Sequence, residues 1–235
     1  MTRQDDSSLV LSLFPGADLL GRGFEASGFC VVRGPDLVWG GDVRTFHPPA
    51  GSFSGVIGGP PCPDFSSARR DAPTGYGLEM LGEFVRVVSE ARPVWFLIEN
   101  TPRVPSVTVP GYEVQRFNLS ASECGGRQRR NRTFQFGCRD SSRLVLANRV
   151  TGTVTHRSCL ASESSQMDRR GFPEFCELQG LPRDFDLPGL SLGAKYRAVG
   201  NGVPVYMATV IAQAVRNRIP VTLGPPLCLR LRSSD

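Results

Sequence analysis

The sequence of 235 residues has only two histidines, no closely spaced cysteines and no long hydrophobic run. The histidines lie far apart and none of the seven cysteines forms a CxxC pair, so we expect no metal site and no redox dithiol. An odd number of unpaired cysteines fits a reducing, cytosolic setting. No apolar run reaches about 18 residues, so no membrane span is expected. Residues 1–8 are polar and lack the apolar stretch of a secretory signal.

Positive charge is in excess, with a net charge of +5, and the arginines are unevenly spread. This excess permits a polyanionic partner, although it fits a merely soluble basic protein equally well. Four guanidinium groups, which suit phosphates and carbonyl oxygens, lie within six residues; the alternative is a solvated charge run. Because side chains alternate along a strand, Arg130 and Arg132 are predicted to point away from Arg127 and Arg129.

Apolar segments bounded by glycine and proline alternate with segments of helical periodicity. Leu78, Leu81, Val85 and Val88, for example, recur at the spacing of an amphipathic helix. Strands that alternate with helices indicate an α/β fold with a mostly parallel sheet covered on both faces. Strands are predicted at 8–14, 29–33, 55–57, 94–98, 112–119 and 132–136, helices at 19–26, 77–91, 174–179 and 203–215, and a turn at 200–202.

Three chemically useful side chains follow predicted strands. In open parallel sheets, ligands bind outside the carboxyl ends of the strands, so Phe14, Cys62 and Glu99 are expected to line one crevice. Two prolines hold Cys62 rigidly, which suits a nucleophile, although an inert structural cysteine is the alternative. Glu99 can hydrogen-bond a base edge and, with a raised pKa, donate a proton; the alternative is a surface or capping residue.

Seven segments then occur in a recognisable order: LFPGADLLGRGFEASGF, GGDV, GGPPCPDFS, ENTP, ECGGRQRRNR, EFCELQGLP and GNGVPV. This order resembles the DNA (cytosine-5-)-methyltransferase family, and the resemblance runs from about Leu9 to about Val215. The Pro-Cys, Glu-Asn, Gln-x-Arg-x-Arg and Gly-Asn elements are highly specific when they occur together in this order.

The resemblance implies a Rossmann-like S-adenosylmethionine-dependent methyltransferase fold with a small irregular recognition insert. It implies a catalytic and cofactor-binding core over residues 1–138, a target-recognition insert over 139–169, the rest of the small lobe with a returning helix over 170–225, and a loose tail over 226–235. The expected reaction is methyl transfer from S-adenosylmethionine, without a metal, to carbon 5 of a flipped-out cytosine in double-stranded DNA. A monomer in the cytoplasm of a bacterial or phage-infected cell is expected.

The resemblance also implies a role for each matching residue. The catalytic set is Cys62 as the nucleophile, Glu99 to hold and protonate the cytosine ring, and Arg130 and Arg132 to hold the flipped base and its backbone. The cofactor set is Phe14 against the adenine, Gly16, Asp36 at the ribose hydroxyls, Asp42 at the adenine amino group, and Pro61, Asn201 and Val203 to complete the pocket.

The chain departs from the family pattern at three places. Pro63 stands where the family usually has glutamine, Thr101 where it usually has valine, and Asp18-Leu19 where it usually has paired glycines. Two other functions are compatible with the residues, namely methylation of cytosine in transfer RNA and a catalytically silent nucleic-acid-binding module. An intact set of Cys62, Glu99 and the two arginines argues against the silent module.

Overall fold

The computed structural model describes residues 9–61, 65, 72–146, 156–157 and 171–218. Cys62, Pro63, residues 66–71 and most of the expected 139–169 insert therefore lie outside the described residues. The strands are β1 (Leu9–Leu13), β2 (Cys30–Arg33), β3 (Gly55–Gly58), β4 (Trp95–Asn100), β5 (Glu113–Ser120), β6 (Gln128–Arg129), β7 (Asn131–Cys138) and β8 (His156–Arg157). The helices are α1 (Leu19–Ala26), α2 (Tyr76–Ala91), α3 (Phe172–Leu178), α4 (Leu192–Asn201) and α5 (Val205–Arg216).

Six strands form one twisted sheet in the order β2-β1-β3-β4-β7-β5. The pairs β1–β2, β1–β3 and β3–β4 are parallel, whereas β7 runs antiparallel to both β4 and β5. Strands β1, β3 and β4 are buried along their whole lengths or nearly so, which explains their near-continuous apolar sequences. The mostly parallel sheet of a Rossmann-like fold is thus confirmed.

Helices cover both faces of the sheet. On one face, Phe24 of α1 and Ile211 of α5 are buried in the same apolar cluster as Trp95 of β4. On the opposite face, Phe84 of α2 packs in a second cluster with Ile98 of β4. Burying apolar stripes of helices against a sheet removes hydrocarbon from water, which is the main stabilising contribution to such a core.

The turn between β1 and α1 is closed by Asp18, one of the departures from the family pattern. Asp18 has a φ of 53° and caps α1, because its carboxylate accepts a hydrogen bond from the backbone N–H of Gly21. The same carboxylate accepts a hydrogen bond from Ser12 Oγ at 2.9 Å and forms an ion pair with Arg33 Nε at 2.8 Å. Burial raises the pKa of Asp18, and the hydrogen bond from Ser12 and the charge of Arg33 oppose that rise. The turn is therefore held by side-chain contacts rather than by a second glycine.

A third apolar cluster joins α3 and α4 to the start of α1, where Phe175, Tyr196 and Leu19 are buried together. The predicted turn at 200–202 is wrong in part, because Gly200 and Asn201 form the last turn of α4 and only Gly202 lies outside it. Helix α4 was not predicted, since its sequence LGAKYRAVGN includes two glycines, which disfavour a helix.

One stretch of the described residues, Leu192–Arg216, is long and apolar enough to span a membrane by length and composition alone. It is not a single helix, because residues 202–204, which include Pro204, separate α4 from α5. More than half of its apolar 18-residue window is buried inside the protein. These properties are those of core helices.

Candidate active site

The carboxyl ends of β1, β3 and β4 lie side by side and bring together the residues that follow them. Leu13 of β1 pairs with Gly58 of β3, which in turn pairs with Ile98 of β4. The next residues, Phe14, Gly59 and Glu99, therefore stand at one edge of the sheet. As expected for one crevice, Phe14 and Glu99 lie at the same edge of the sheet. Pro61 is the last described residue before Cys62.

Glu99 is the central charged group at this edge. Only 6% of its surface is exposed, and its Oε1 lies 2.8 Å from Arg132 Nε. Burial raises the pKa of Glu99, whereas the positive charges of Arg132 and Arg130 lower it without cancelling the rise. A carboxyl group with a raised pKa can donate a proton at near-neutral pH.

Gly59 makes room for this carboxyl group. A Cβ atom at position 59 would lie 2.9 Å from Glu99 Oε2, closer than such contacts normally occur. The glycine therefore lets the carboxyl group of β4 reach across the end of β3. This places the acidic group beside the segment that leads through Pro60 and Pro61 towards Cys62.

The four arginines of the arginine-rich segment differ in exposure. Arg127 and Arg129 are exposed, Arg130 is buried and Arg132 is partly buried. Arg130 lies between β6 and β7, and Arg132 of β7 forms an ion pair with Glu99.

Arg130 has a different environment from the one expected for a residue that holds a flipped base. It is only 1% exposed, and its Nη2 donates to the carbonyl oxygens of Gly200, Asn201 and Gly202 at 2.7, 3.2 and 2.9 Å. The Nη2 group of Arg130 is thus bound to the backbone at the end of α4. Binding of carbonyl oxygens by these arginines was predicted from the sequence, but the particular carbonyl groups were not.

Two glutamines that the sequence analysis missed support the same region. Gln128 Nε2 donates to the carbonyl oxygen of Leu178 at 2.7 Å and to Gln179 Oε1 at 2.9 Å. Gln179 Nε2 donates to the carbonyl oxygen of Val199 at 2.7 Å. Both glutamines lie within the quoted family segments, so the segments themselves were the available signal. The buried chain of amides links β6, α3 and α4.

A second group of polar contacts surrounds the turn after β1. The N–H of Gly16 donates to Asp36 Oδ2 at 2.8 Å, and the other carboxylate oxygen of Asp36 accepts from Val38 N–H at 2.8 Å. Trp39 Nε1 donates to the carbonyl oxygen of Gly16 at 2.8 Å, and its side chain is half exposed. Trp39 was not predicted from the sequence. A carboxylate and an exposed indole thus flank the glycine turn, which is a suitable environment for a nucleoside.

Asp42 lies near this turn because the N–H of Gly41 donates to the carbonyl oxygen of Asp36 at 3.0 Å. The carboxylate of Asp42 accepts from the backbone N–H and the guanidinium group of Arg44, with Nη2 at 2.7 Å. These hydrogen bonds from Arg44 lower the pKa of Asp42. Asp42 therefore stays ionised and able to accept further hydrogen bonds.

The loop after α4 meets the turn after β1 from the other side. An added Cβ at Gly202 would lie 3.1 Å from the side chain of Leu19, so this loop packs directly on the start of α1. Val203 is buried in the core, and Asn201 is exposed. Asn201 and Val203 are thus brought towards the glycine turn by contacts with α1, and Arg130 holds the carbonyl groups of the same loop.

A mostly parallel sheet with a glycine turn and an acidic group at its carboxyl edge is typical of nucleoside-binding α/β folds, among them the Rossmann-like methyltransferases. The model of the C-5 cytosine-specific DNA methylase family matches residues 40–169, which is more than half of the chain. The chain belongs to this family.

Named relatives agree with this assignment. The type II methyltransferase M.HgiDI of Herpetosiphon aurantiacus is 32% identical over 171 residues, which cover 59% of this chain and 55% of the relative. The type II methyltransferase M.MthTI of Methanothermobacter thermautotrophicus is 31% identical over 169 residues, covering 57% of this chain and 50% of the relative. The chain thus spans about half the length of these curated relatives.

The fold also matches that of a solved protein. A structure described as a DNA modification methyltransferase encoded within an E. coli prophage superimposes with a TM-score of 0.62 and covers 89% of this chain and 98% of its own. Only 18% of the residues are identical, so this likeness concerns the fold alone.

Proposed function

We propose that the protein transfers a methyl group to carbon 5 of a flipped-out cytosine in double-stranded DNA, with Cys62 as the nucleophile. The observation that carries this proposal is the buried Glu99, whose pKa is raised and whose carboxyl group lies over Gly59, three residues before Cys62. Membership of the family and the names of the type II relatives support DNA cytosine as the substrate.

The proposed chemistry divides the work between Cys62 and Glu99. The Cys62 thiolate adds to carbon 6 of the ring while the carboxyl group of Glu99 donates a proton towards N3, so electron density builds up at carbon 5. S-adenosylmethionine, when bound, supplies an electrophilic methyl group to that carbon. A base then removes the proton from carbon 5, the Cys62 thiolate leaves carbon 6, and N3 returns its proton to the Glu99 carboxylate, which restores the neutral aromatic ring.

Arg132 and Arg130 take different parts in this proposal. Arg132 orients Glu99 through their ion pair and, being partly exposed, can also reach the flipped base and its phosphate. Arg130 acts indirectly, because its guanidinium group holds the carbonyl groups of residues 200–202. We propose this positioning role for Arg130 in place of the contact with the base that the family resemblance implies.

The residues around the glycine turn fit S-adenosylmethionine. Gly16 has a φ of 53°, which favours glycine, and the indole of Trp39 lies beside it because Trp39 Nε1 donates to the carbonyl oxygen of Gly16. Asp36 retains lone pairs that can accept from the ribose hydroxyl groups, and Asp42 can accept from the adenine amino group. Pro61, Asn201 and Val203 complete the proposed pocket. No metal ion is required by this chemistry.

The proposed DNA target is short. Residues 139–170 are the segment in which the family carries target recognition, and each well-placed side chain contributes roughly 1–3 kcal/mol of discrimination. So short an insert holds few such side chains, so we propose recognition of about two to four base pairs by a monomeric, cytoplasmic protein. Bisulfite sequencing of DNA modified by the purified protein tests this. A strict consensus of about six base pairs, as a longer set of base contacts specifies, would contradict it.

The nucleophile is tested by comparing Cys62→Ala with a matched variant, Cys30→Ala. Cys30 is exposed on the outermost strand of the sheet, so its loss should leave activity unchanged. Wild type and Cys30→Ala should methylate duplex DNA, as mass spectrometry with labelled S-adenosylmethionine will show, and should form a covalent adduct with DNA that carries 5-fluorocytosine. Cys62→Ala should do neither. Normal turnover by Cys62→Ala, or a preference for transfer RNA over DNA, would refute the proposal.

A further inference from the structure

The end of β4 supplies two consecutive polar side chains that bind the backbone on the two sides of Cys62. The first is Asn100, whose Nδ2 donates to the carbonyl oxygen of Pro60 at 3.1 Å. Asn100 is buried, and its Oδ1 accepts from the backbone N–H of Thr101 at 2.8 Å, so the amide orientation is held from both ends. The backbone two residues before Cys62 is therefore tied to β4.

The second side chain is Thr101, whose Oγ1 donates to the carbonyl oxygen of Phe65 at 3.2 Å. A hydroxyl group has one hydrogen to donate, and Phe65 is its nearer acceptor, because Asn100 Oδ1 lies 3.4 Å away. The ring of Phe65 also packs against the apolar cluster beneath α2. The backbone three residues after Cys62 is therefore tied to the same strand end.

The donors of these two hydrogen bonds lie next to Glu99 at the end of β4. Both donors directly follow Glu99 in the sequence, and β4 is a fully buried central strand. Anchors on either side of a short segment restrict the conformations that the segment between them can adopt. A valine, which the family usually has at position 101, could not form the second anchor.

We propose that Thr101 is a positioning residue for Cys62: its hydroxyl group, together with Asn100, fixes Phe65 and Pro60, on the two sides of Cys62, relative to Glu99. This inference rests on the proposed function and deepens it, because it explains how Cys62 and Glu99 are held in a fixed position relative to each other. Catalysis by positioned groups is sensitive to small displacements, and a shift of about 1 Å costs on the order of a hundredfold in rate.

The test compares Thr101→Val, Thr101→Ser and a matched variant, Thr209→Val. Thr101→Val removes the hydroxyl group with little change of shape, and Thr101→Ser retains it. Thr209 is partly buried in α5, and its Oγ1 likewise donates to a carbonyl oxygen, that of Val205, at 2.9 Å. Methyl transfer to duplex DNA is measured as kcat and KM, and hydrogen exchange is followed in peptides that cover residues 60–66.

Thr101→Val should lower kcat by at least about tenfold with little change in the KM for S-adenosylmethionine, because an imperfectly held nucleophile slows the chemistry rather than cofactor binding. Its 60–66 peptides should exchange faster, while Thr101→Ser and Thr209→Val should behave as wild type in both measurements. Wild-type kcat and exchange in Thr101→Val would overturn the inference, as would a serine variant as impaired as the valine variant. If wild type itself transfers no methyl group, the proposed function fails, whereas the exchange measurement still tests the anchor.

Discussion

Replacing Arg130 by methionine separates a structural role from a direct role at the base. Methionine fills a similar volume but donates no hydrogen bonds, so the carbonyl oxygens of Gly200, Asn201 and Gly202 lose their shared donor. Gly200 is buried, whereas Asn201 is exposed and its carbonyl group can turn to water. The loss therefore falls mainly on one or two carbonyl groups.

The magnitude follows from these carbonyl groups. A buried acceptor left unsatisfied costs about 1–3 kcal/mol, so Arg130→Met should lower the free energy of unfolding by about 2–4 kcal/mol. In a protein of this size each kilocalorie shifts the melting temperature by about 2–4 °C, which gives a decrease of roughly 5–15 °C. Arg132→Met should lose much less stability, because its partner Glu99 can take up a proton when the ion pair is removed.

Thermal unfolding of both variants, followed by methyl-transfer assays at a temperature where each is folded, provides the measurement. The melting temperature of Arg130→Met should be lower than that of wild type by the amount given above. Arg132→Met should have nearly the melting temperature of wild type but lose methyl transfer. If Arg130→Met melts within about 2 °C of wild type and loses only activity on DNA, the reasoning fails, since so small a shift corresponds to less than about 1 kcal/mol. Arg130 would then contact the base, as the family resemblance implies.

Three further predictions concern other parts of the site and core. Glu99→Gln should abolish methyl transfer yet raise the melting temperature near pH 7. The pKa of Glu99 is raised above 4.5 in the folded protein, so burying its ionised form lowers the free energy of unfolding. This destabilisation is absent below about pH 4 and appears as the pH rises through the folded pKa. A lower melting temperature near pH 7 would mean that the arginine charges outweigh burial. Asp36→Ala should weaken S-adenosylmethionine binding measured by calorimetry, and unchanged affinity would reject its role. Gly23→Ala should cost about 1–3 kcal/mol in urea unfolding, because the added methyl group would lie 2.4 Å from Ala208 Cβ; full stability would mean that α1 and α5 can move apart.

Sequence patterns predicted the core of the fold well. The bounds of α1 were predicted without error, and the strands of the main sheet were predicted to within two residues at each end. These elements are apolar segments bounded by glycine, proline or polar residues, so local composition identifies them. Helix α4 was missed because Gly193 and Gly200 disfavour a helix, although the burial of Tyr196 and Val199 in the third apolar cluster stabilises it.

The candidate site was predicted less completely, for a physical reason. Arg127 and Arg129 are more exposed than Arg130 and Arg132, in line with the predicted grouping, but no sequence pattern indicated which partners a buried guanidinium group would find. Those partners lie some 70 residues away in α4, a helix that was itself not predicted. Trp39 was missed likewise, because its hydrogen bond to Gly16 joins segments that are distant in sequence. The role of Cys62 stays a prediction.

The packing of α5 on α1 has a consequence for the synthesis of the protein. Arg216 donates a hydrogen bond to the carbonyl oxygen of Ser27 across 189 positions, and Phe24 shares its apolar cluster with Met207 and Ile211. Ribosomes add about 5–20 residues per second, so this face of the nascent chain stays uncovered for on the order of ten seconds or more. During that interval the exposed sheet face is open to aggregation or to a chaperone. Lower growth temperature or added chaperones should therefore increase the soluble yield more than any change confined to the crevice.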